Sequence, residues 1–380
     1  MTNTTAVKTT AVPLFNLQQQ HESLKEELNK AALEALNSMK WLLGPKTQEF
    51  EANFAKALNA KYCVTCSSGA SAIQIALMAA GIGKGDEVIT TPFTFVATTT
   101  SVSLTGADFV FADIDPDTYN LDPKDVERKI TSKTKAIVPV HLYGYPANMP
   151  EIIALAKKYN LKVIEDCAQS HLALCAGKYT GTWGDAGAFS FYPSKNLGAC
   201  GDAGAVVTNN KEIADACTSI RHSGRSLGKA YEYDREGSTL RMDEIQAAIL
   251  NVKLQHLAKW TENRRKAAKL YRQKLAGVKQ VALPPLEKEG WSQSYYVFTI
   301  RVKDRDALSA YLKENNIGNA VYYPVPLYKQ PCYAHLNCKA QDYPNTEAAA
   351  KEVLSIPMFP EITEEQIDTV CNKIKEFYNK

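Results

Sequence analysis

Residues 184–198 read Gly184-Asp185-Ala186-Gly187-Ala188-Phe189-Ser190-Phe191-Tyr192-Pro193-Ser194-Lys195-Asn196-Leu197-Gly198, an apolar run that passes straight into a proline turn and a lysine. A short apolar run bounded by turn residues fits a strand buried in a parallel sheet. The lysine just beyond it would emerge at the rim of that sheet. A lysine amine can condense with an aldehyde, and partial burial in a cleft helps by disfavouring the ammonium. Taken alone, the residue reads more simply as a solvated surface lysine.

The stretch Val163-Ile164-Glu165-Asp166-Cys167-Ala168-Gln169-Ser170 changes that balance, because it puts an acid at the presumed carboxyl end of a second apolar strand. Open α/β sheets bind ligands at that edge. A carboxylate there suits the pyridine nitrogen of pyridoxal phosphate, whose protonated ring acts as an electron sink. Asp166 is the candidate, with Gln169 near the ring hydroxyl; a helix N-cap is the competing role for Asp166. Asp185 and Asp202 read as turn residues.

Further upstream, Cys66-Ser67-Ser68-Gly69-Ala70-Ser71-Ala72 joins a strand to a helix through small residues, so backbone N–H groups at the helix start could hold a phosphate. Capping alone would explain the same residues. The order of the segments is the stronger signal: phosphate turn, aromatic stretch Thr94-Phe95-Val96-Ala97-Thr98, acidic strand end, then Ser190 and Lys195.

Working outward, strand-like runs at 62–65, 87–90, 109–111, 136–140, 162–164, 186–191 and 203–208 alternate with helical stretches such as 71–80 and 152–159. This is an α/β pattern, with a mixed, mostly parallel sheet sandwiched by helices in a large domain over 12–250. A leading helix is expected at 16–39, with Leu43-Gly44-Pro45 stopping it. A long amphipathic stretch at 242–275 leads into a smaller α+β domain over 251–380, with strands at 295–302 and 320–323 and helices at 305–314 and 364–378.

Composition is that of an ordinary globular chain: 380 residues, 45% hydrophobic, with 44 basic against 41 acidic residues. No single-sign block offers a footprint for nucleic acid or membrane, so anionic ligands must be met locally. No run approaches a membrane span, and the Thr-rich start, expected to fray, lacks a secretory layout; a cytoplasmic location is expected. Nine cysteines, an odd number, argue against a disulfide framework. Cys63-x-x-Cys66 lacks a second pair at usable spacing, so no metal site is expected.

The chain resembles the DegT/StrS sugar aminotransferases, fold type I pyridoxal-phosphate enzymes, from about Val12 to its end. The resemblance rests on GDEVITTPFTFVAT, PVHLYGYPANM, VIEDCAQS, FSFYPSKNLGACGDAGAVVTNN, RMDEIQAAILNVKL and YYPVPLYKQP. It implies Lys195 as Schiff-base lysine and general base, Asp166 at the ring nitrogen, Gln169 at the ring oxygen, Ser190 with Gly69, Ala70 and Ser71 at the phosphate, and Phe95 stacked on the ring. It also implies L-glutamate as amino donor and a homodimer with shared active sites. Two positions depart from the family pattern. Ala70 replaces a usual Thr, leaving backbone N–H groups or Ser71 to compensate. Thr239 replaces an Asn that reaches the neighbouring subunit's phosphate.

The resemblance further implies amination at C3 of a 3-keto nucleotide sugar, as in amino-sugar synthesis for lipopolysaccharide O-antigen. A UDP-linked 2-acetamido-3-keto hexuronate leads and a dTDP-linked 3-keto-6-deoxyhexose follows. A 4-keto sugar aminotransferase, a pyridoxal-phosphate sugar dehydratase and a non-catalytic regulator are the other readings. Arg221, His222 and Arg241 either contact the anionic nucleotide sugar or form a solvated basic surface. Tyr322, Tyr323 and Tyr328 are either sugar-facing or core aromatics.

Overall fold

The computed structural model describes residues 11–379; the Thr-rich residues expected to fray lie, up to residue 10, outside it. The helices are α1 (Leu17–Asn37), α2 (Pro45–Ala57), α3 (Gly69–Ala79), α4 (Ala97–Ser103), α5 (Pro123–Lys129), α6 (Met149–Tyr159), α7 (Lys211–Ile220), α8 (Glu244–Leu275), α9 (Arg305–Glu314), α10 (Pro344–Glu352) and α11 (Glu364–Tyr378). The strands are β1 (Tyr62–Cys66), β2 (Glu87–Thr90), β3 (Asp108–Phe111), β4 (Thr134–Ile137), β5 (Lys162–Asp166), β6 (Leu174–Cys175), β7 (Lys178–Tyr179), β8 (Ala186–Ser190), β9 (Gly204–Thr208), β10 (Val281–Ala282), β11 (Phe298–Val302) and β12 (Val353–Ile356).

Seven strands form the main sheet in the order β1-β9-β8-β5-β4-β2-β3. Only β9 runs against the others, pairing antiparallel with β1 and β8. The two-residue period of a strand sorts the core into layers. Val64, Val88, Ala136, Ile164, Ala188 and Val206 go to a core shared with α3 and α7. Their neighbours Cys63, Phe189 and Val207 pack with α2 and α8, and Ile89, Ile137 and Val163 with α5 and α6. The sheet is therefore covered on both faces, as a mostly parallel sheet must be.

Two expectations change. Pro45 opens a helix rather than ending the pattern, since its missing N–H costs nothing at a first helical position. The start of α2 is held by the buried carboxylate of Glu244, which accepts from Gly44 N–H (2.9 Å), Thr47 N–H (3.2 Å) and the Thr47 hydroxyl (2.6 Å). Residues 320–323 are not a strand: Ala320 makes a bridge to Ser355, and β12 takes the place beside β11. The chain then leaves the sheet and delivers two tyrosines elsewhere.

Residue 250 lies inside α8, whose Leu250 and Leu257 pack in one core while Ala267, Tyr271 and Leu275 pack in another with β11 and α11. Val12 joins that second core, exchanging backbone hydrogen bonds with Asn316 and Gly318.

Candidate active site

The carboxyl ends of β1, β2, β5 and β8 open onto one cavity of about 700 Å³. Gly69 and Ala70, Phe95, Asp166 and Gln169, and Ser190 with Lys195 all line it, brought from four separate strand ends. Its far wall is aromatic, made by Tyr296, Tyr322 and Tyr323.

Adjacent acids on β5 have different fates. Glu165 is fully buried and its carboxylate accepts from the N–H groups of Gly181, Trp183 and Gly184 at 2.7–2.9 Å. Its Oε2 also lies 3.0 Å from Nε2 of His141, whose Nδ1 accepts from Ala147 N–H, so Nε2 carries the proton. Glu165, His141 and Cys167 form the one cluster of metal-ligating types among the described residues, and two of its members are already spent on each other. Asp166 points the other way, into the cavity, with Thr98 Oγ1 donating to Oδ2 (2.9 Å) and Ala168 N–H to Oδ1 (3.1 Å). No helix follows it, which removes the N-cap role. Burial raises its carboxyl above the ordinary range, opposed by those two donors and by the charge of Lys195. A cationic ring nitrogen would offset that desolvation.

Gln169 is oriented by its neighbour. Its Oε1 accepts from Tyr143 N–H (2.7 Å), so its amide N–H groups are the side left to face outward, one of them 3.3 Å from the Tyr323 hydroxyl. Tyr143 itself has a φ of 60°, a rare conformation for a bulky residue, and its hydroxyl donates to the Tyr322 carbonyl. The 141–145 turn thus fixes both Gln169 and the tyrosine wall.

Lys195 is half-buried, on a turn closed by its own N–H to Tyr192 O (2.8 Å). Its Nζ lies 4.4 Å from the centroid of the Tyr296 ring. The loop beyond is pinned by Asn196 to Ser294 O (2.9 Å) and by Lys253 to Gly198 O (2.8 Å).

At the opposite end of the cavity, α3 begins against β8. A Cβ on Gly69 would come within 2.5 Å of Ser190 Cβ, and one on Gly204 within 2.2 Å of Ser68 O, so glycine is required for the helix start to approach the serine. Ala70 lines this end beside them. The first N–H groups of a helix have no acceptor within it and attract anions. Ser71 does not face the cavity: its hydroxyl closes a capping box with Ser68 and bonds Ser67, so it is not the substitute for a missing Thr hydroxyl. Ser68, within the same turn, lines the cavity instead.

The basic candidates fall elsewhere. Arg221 is buried, pairing with Glu51 and with the carbonyl and hydroxyl of Thr65 at 2.8 Å, so it braces β1 rather than meeting a ligand. His222 Nδ1 accepts from the Arg241 guanidinium at 3.1 Å, and burial with three nearby arginines keeps its imidazole below the ordinary range. Thr239 is exposed and bridges to His222. None of these four lines the cavity of its own chain. Tyr328 is core, stacked on Tyr343 at 4.7 Å, whereas Tyr322 and Tyr323 face the cavity. Thr98, Ser68 and Tyr296 were not assigned roles from the sequence; Thr98 and Ser68 carried a signal, lying in the aromatic stretch and the phosphate turn, and Tyr296 carried none.

A carboxylate at one point, a lysine amine at another, amide donors between and an open helix start at the far end match the donor set that pyridoxal phosphate requires. Such a fold and site define a pyridoxal-phosphate-dependent aminotransferase. The chain belongs to the DegT/DnrJ/EryC1/StrS aminotransferase family, whose profile matches residues 22–375. It is 48% identical to a pleiotropic regulatory protein of Geobacillus stearothermophilus, over 97% of this chain and 98% of that one. It is 41% identical to a UDP-N-acetyl-3-dehydro-alpha-D-glucosamine 3-aminotransferase of Acidithiobacillus ferrooxidans (96% and 98%) and 40% to a UDP-2-acetamido-2-deoxy-3-oxo-D-glucuronate aminotransferase of Pseudomonas aeruginosa (95% and 98%). The crystal structure of DesV from S. venezuelae, in complex with a ketimine intermediate, superposes with a TM-score of 0.95 at 38% identity, covering 98% of this chain and all of that one. No helix among the described residues is long and apolar enough to cross a membrane.

Proposed function

We propose that the protein moves an amino group from L-glutamate to C3 of a 3-keto sugar carried on a nucleotide, with UDP-2-acetamido-2-deoxy-3-keto-hexuronate as the leading substrate. The observation that carries the reading is the facing of Asp166 and Lys195 across one cavity, with the tyrosine wall opposite the strand ends. The UDP-linked 2-acetamido substrates named for the relatives at 41% and 40% identity support the choice of sugar.

Bound pyridoxal phosphate supplies the electron sink for breaking the bond to hydrogen at the amine-bearing carbon. Asp166 holds the ring nitrogen in its charged form. Gln169 donates to the ring oxygen, and Phe95 covers a ring face. The α3 start and Ser190 take the phosphate. Lys195 would hold the cofactor through its amine, and that amine, when free, would serve as the proton carrier of the site, as general base and acid. We extend the proposal to a homodimer, in which exposed Thr239 and half-buried His222 and Arg241, which do not line their own cavity, are available to a partner's site.

The test adds L-glutamate to purified holo-protein and follows the cofactor's absorbance, then supplies UDP- and dTDP-linked 3-keto sugars and a 4-keto sugar. Glutamate is expected to bleach the resting band and the UDP-linked 2-acetamido-3-keto sugar to restore it, with the amine found at C3 of the product. Faster recovery with the dTDP sugar would move the assignment there. No spectral change with glutamate would sink the aminotransferase reading and favour a regulator.

A further inference from the structure

The geometry points to Tyr296 as a positioning residue that holds the amine of Lys195 on its ring face whenever that amine is free of the cofactor. This rests on the reading of Lys195 as the cofactor lysine. A lysine released in mid-reaction sits on a flexible four-carbon stem, and its proton transfers work only while Nζ stays within reach of the reacting carbons. The Tyr296 ring gives it a fixed seat, 4.4 Å from Nζ.

The ring itself is anchored from several directions. Phe15 stacks on it at 5.6 Å and 23°. Its hydroxyl lies 3.3 Å from Ser194 Oγ, on the residue next to the lysine. Tyr296 N–H donates to Tyr143 O (3.1 Å), and the buried guanidinium of Arg264 reaches the carbonyls of Tyr295 (3.2 Å), Tyr296 (3.4 Å) and Met358 (3.1 Å). Phe15 and Ser194 thus hold the ring itself, while α8 and the 143 turn fix the backbone that carries it.

An aromatic face attracts a cation, and more strongly where water is excluded. The contact therefore favours the amine most while it carries the proton in transit, which is a stabilisation realised during the reaction rather than at rest. Asp166, lining the same cavity, is close enough for the charge of Lys195 to act on its carboxyl. Tyr296 keeps the amine near while Asp166 keeps the ring charged.

The experiment places phenylalanine and its mono-, di- and trifluorinated analogues at position 296 of the holo-protein. These rings keep the shape while the π face weakens stepwise. Tyr296→Phe is expected to retain the glutamate half-reaction within about 2-fold, and trifluorination to slow it about 10-fold, within the range of an occluded cation–π contact. The half-saturation for glutamate should stay within about 2-fold throughout. In cofactor-free protein, the Lys195 ε-protons, assigned by comparison with Lys195→Arg, should show an upfield ring-current shift in NMR that survives Tyr296→Phe and disappears in Tyr296→Leu. A rate flat across the fluorinated series, or no ring-current shift in the unmodified protein, overturns the proposal. Wild-type protein inert to glutamate would instead overturn the reading of Lys195 beneath it.

Discussion

The cavity has two unlike walls. One is the sheet rim, where Gly69, Asp166, Ser190 and Lys195 each follow a strand end within a few residues. The other is the aromatic wall of Tyr296, Tyr322 and Tyr323, carried by irregular chain of the small domain. The rim is rigid because its strands are covered on both faces, and its polar groups are few and specific. The aromatic wall is held by side-chain contacts from distant segments, such as Tyr143 on Tyr322 and Gln169 on Tyr323. Under the proposed function this difference would be a division of labour, with the rim holding the cofactor and moving the proton and the wall seating the amine and the sugar.

The sharpest way to break that division is Lys195→Ala, which should lower transamination by about 10³-fold or more. Borohydride reduction followed by mass spectrometry should find no cofactor attached to the chain. A variant that stays active would end the assignment of the rim.

Asp166→Asn should cost about 10²-fold in turnover and show a reversal in stability. The folded-state pKa of Asp166 is raised by burial, so its contribution favours the fold at low pH and is lost as pH rises above the unfolded value near 3.8. At pH 7 the cofactor-free Asn variant should therefore melt at or above cofactor-free wild type. Pyridoxal phosphate should raise the melting temperature of wild type but hardly that of the variant.

His171 tests the support behind the rim. It is buried against Phe54, Phe189 and Phe191, and burial pushes its imidazole down to about 3. The unfolded chain takes up the proton first as pH falls below about 6.5, so stability is lost from there down towards pH 3. That slope should amount to about 2 kcal/mol between pH 6.5 and 5, read by denaturant unfolding, and His171→Leu should flatten it.

The smallest expected effect addresses the aromatic wall. Tyr323→Phe removes the hydroxyl 3.3 Å from the Gln169 amide. It should slow the keto-sugar half-reaction by about 5-fold, the scale of one lost hydrogen bond, while the glutamate half-reaction changes less than about 2-fold. Equal losses in both halves would show that the wall serves the cofactor and erase the contrast.

The rim was legible in the sequence because each of its residues sits next to a period-two apolar run and a turn, and such signals are local. Asp166 and Glu165 are the instructive case. Strand alternation says that adjacent acids point to opposite faces, but only the folded chain shows that Glu165 meets three backbone N–H groups and His141 while Asp166 meets open space. Arg221 misled for the same reason: a guanidinium near a basic loop suggests an anion, and its partner Glu51 lies 170 residues away in the chain. Residues 320–323 looked like a strand because β-branched and aromatic types favour one, and that pairing with β12 stops after the single bridge from Ala320 to Ser355 is invisible to propensity.

What the sequence determined by itself was the α/β layering and the chemistry of the rim, because hydrophobic period and the residue after a strand end are properties of a few neighbours. Tertiary structure decided which side chains were spent internally and which faced the cavity. It chose Ser68 over Ser71, excluded Arg221 and brought Tyr296 under Lys195 from the small domain. The last two depend on contacts closed over a hundred or more residues, where burial and hydrogen-bond satisfaction outweigh local preference, whereas Ser71 is spent on a capping box within its own turn.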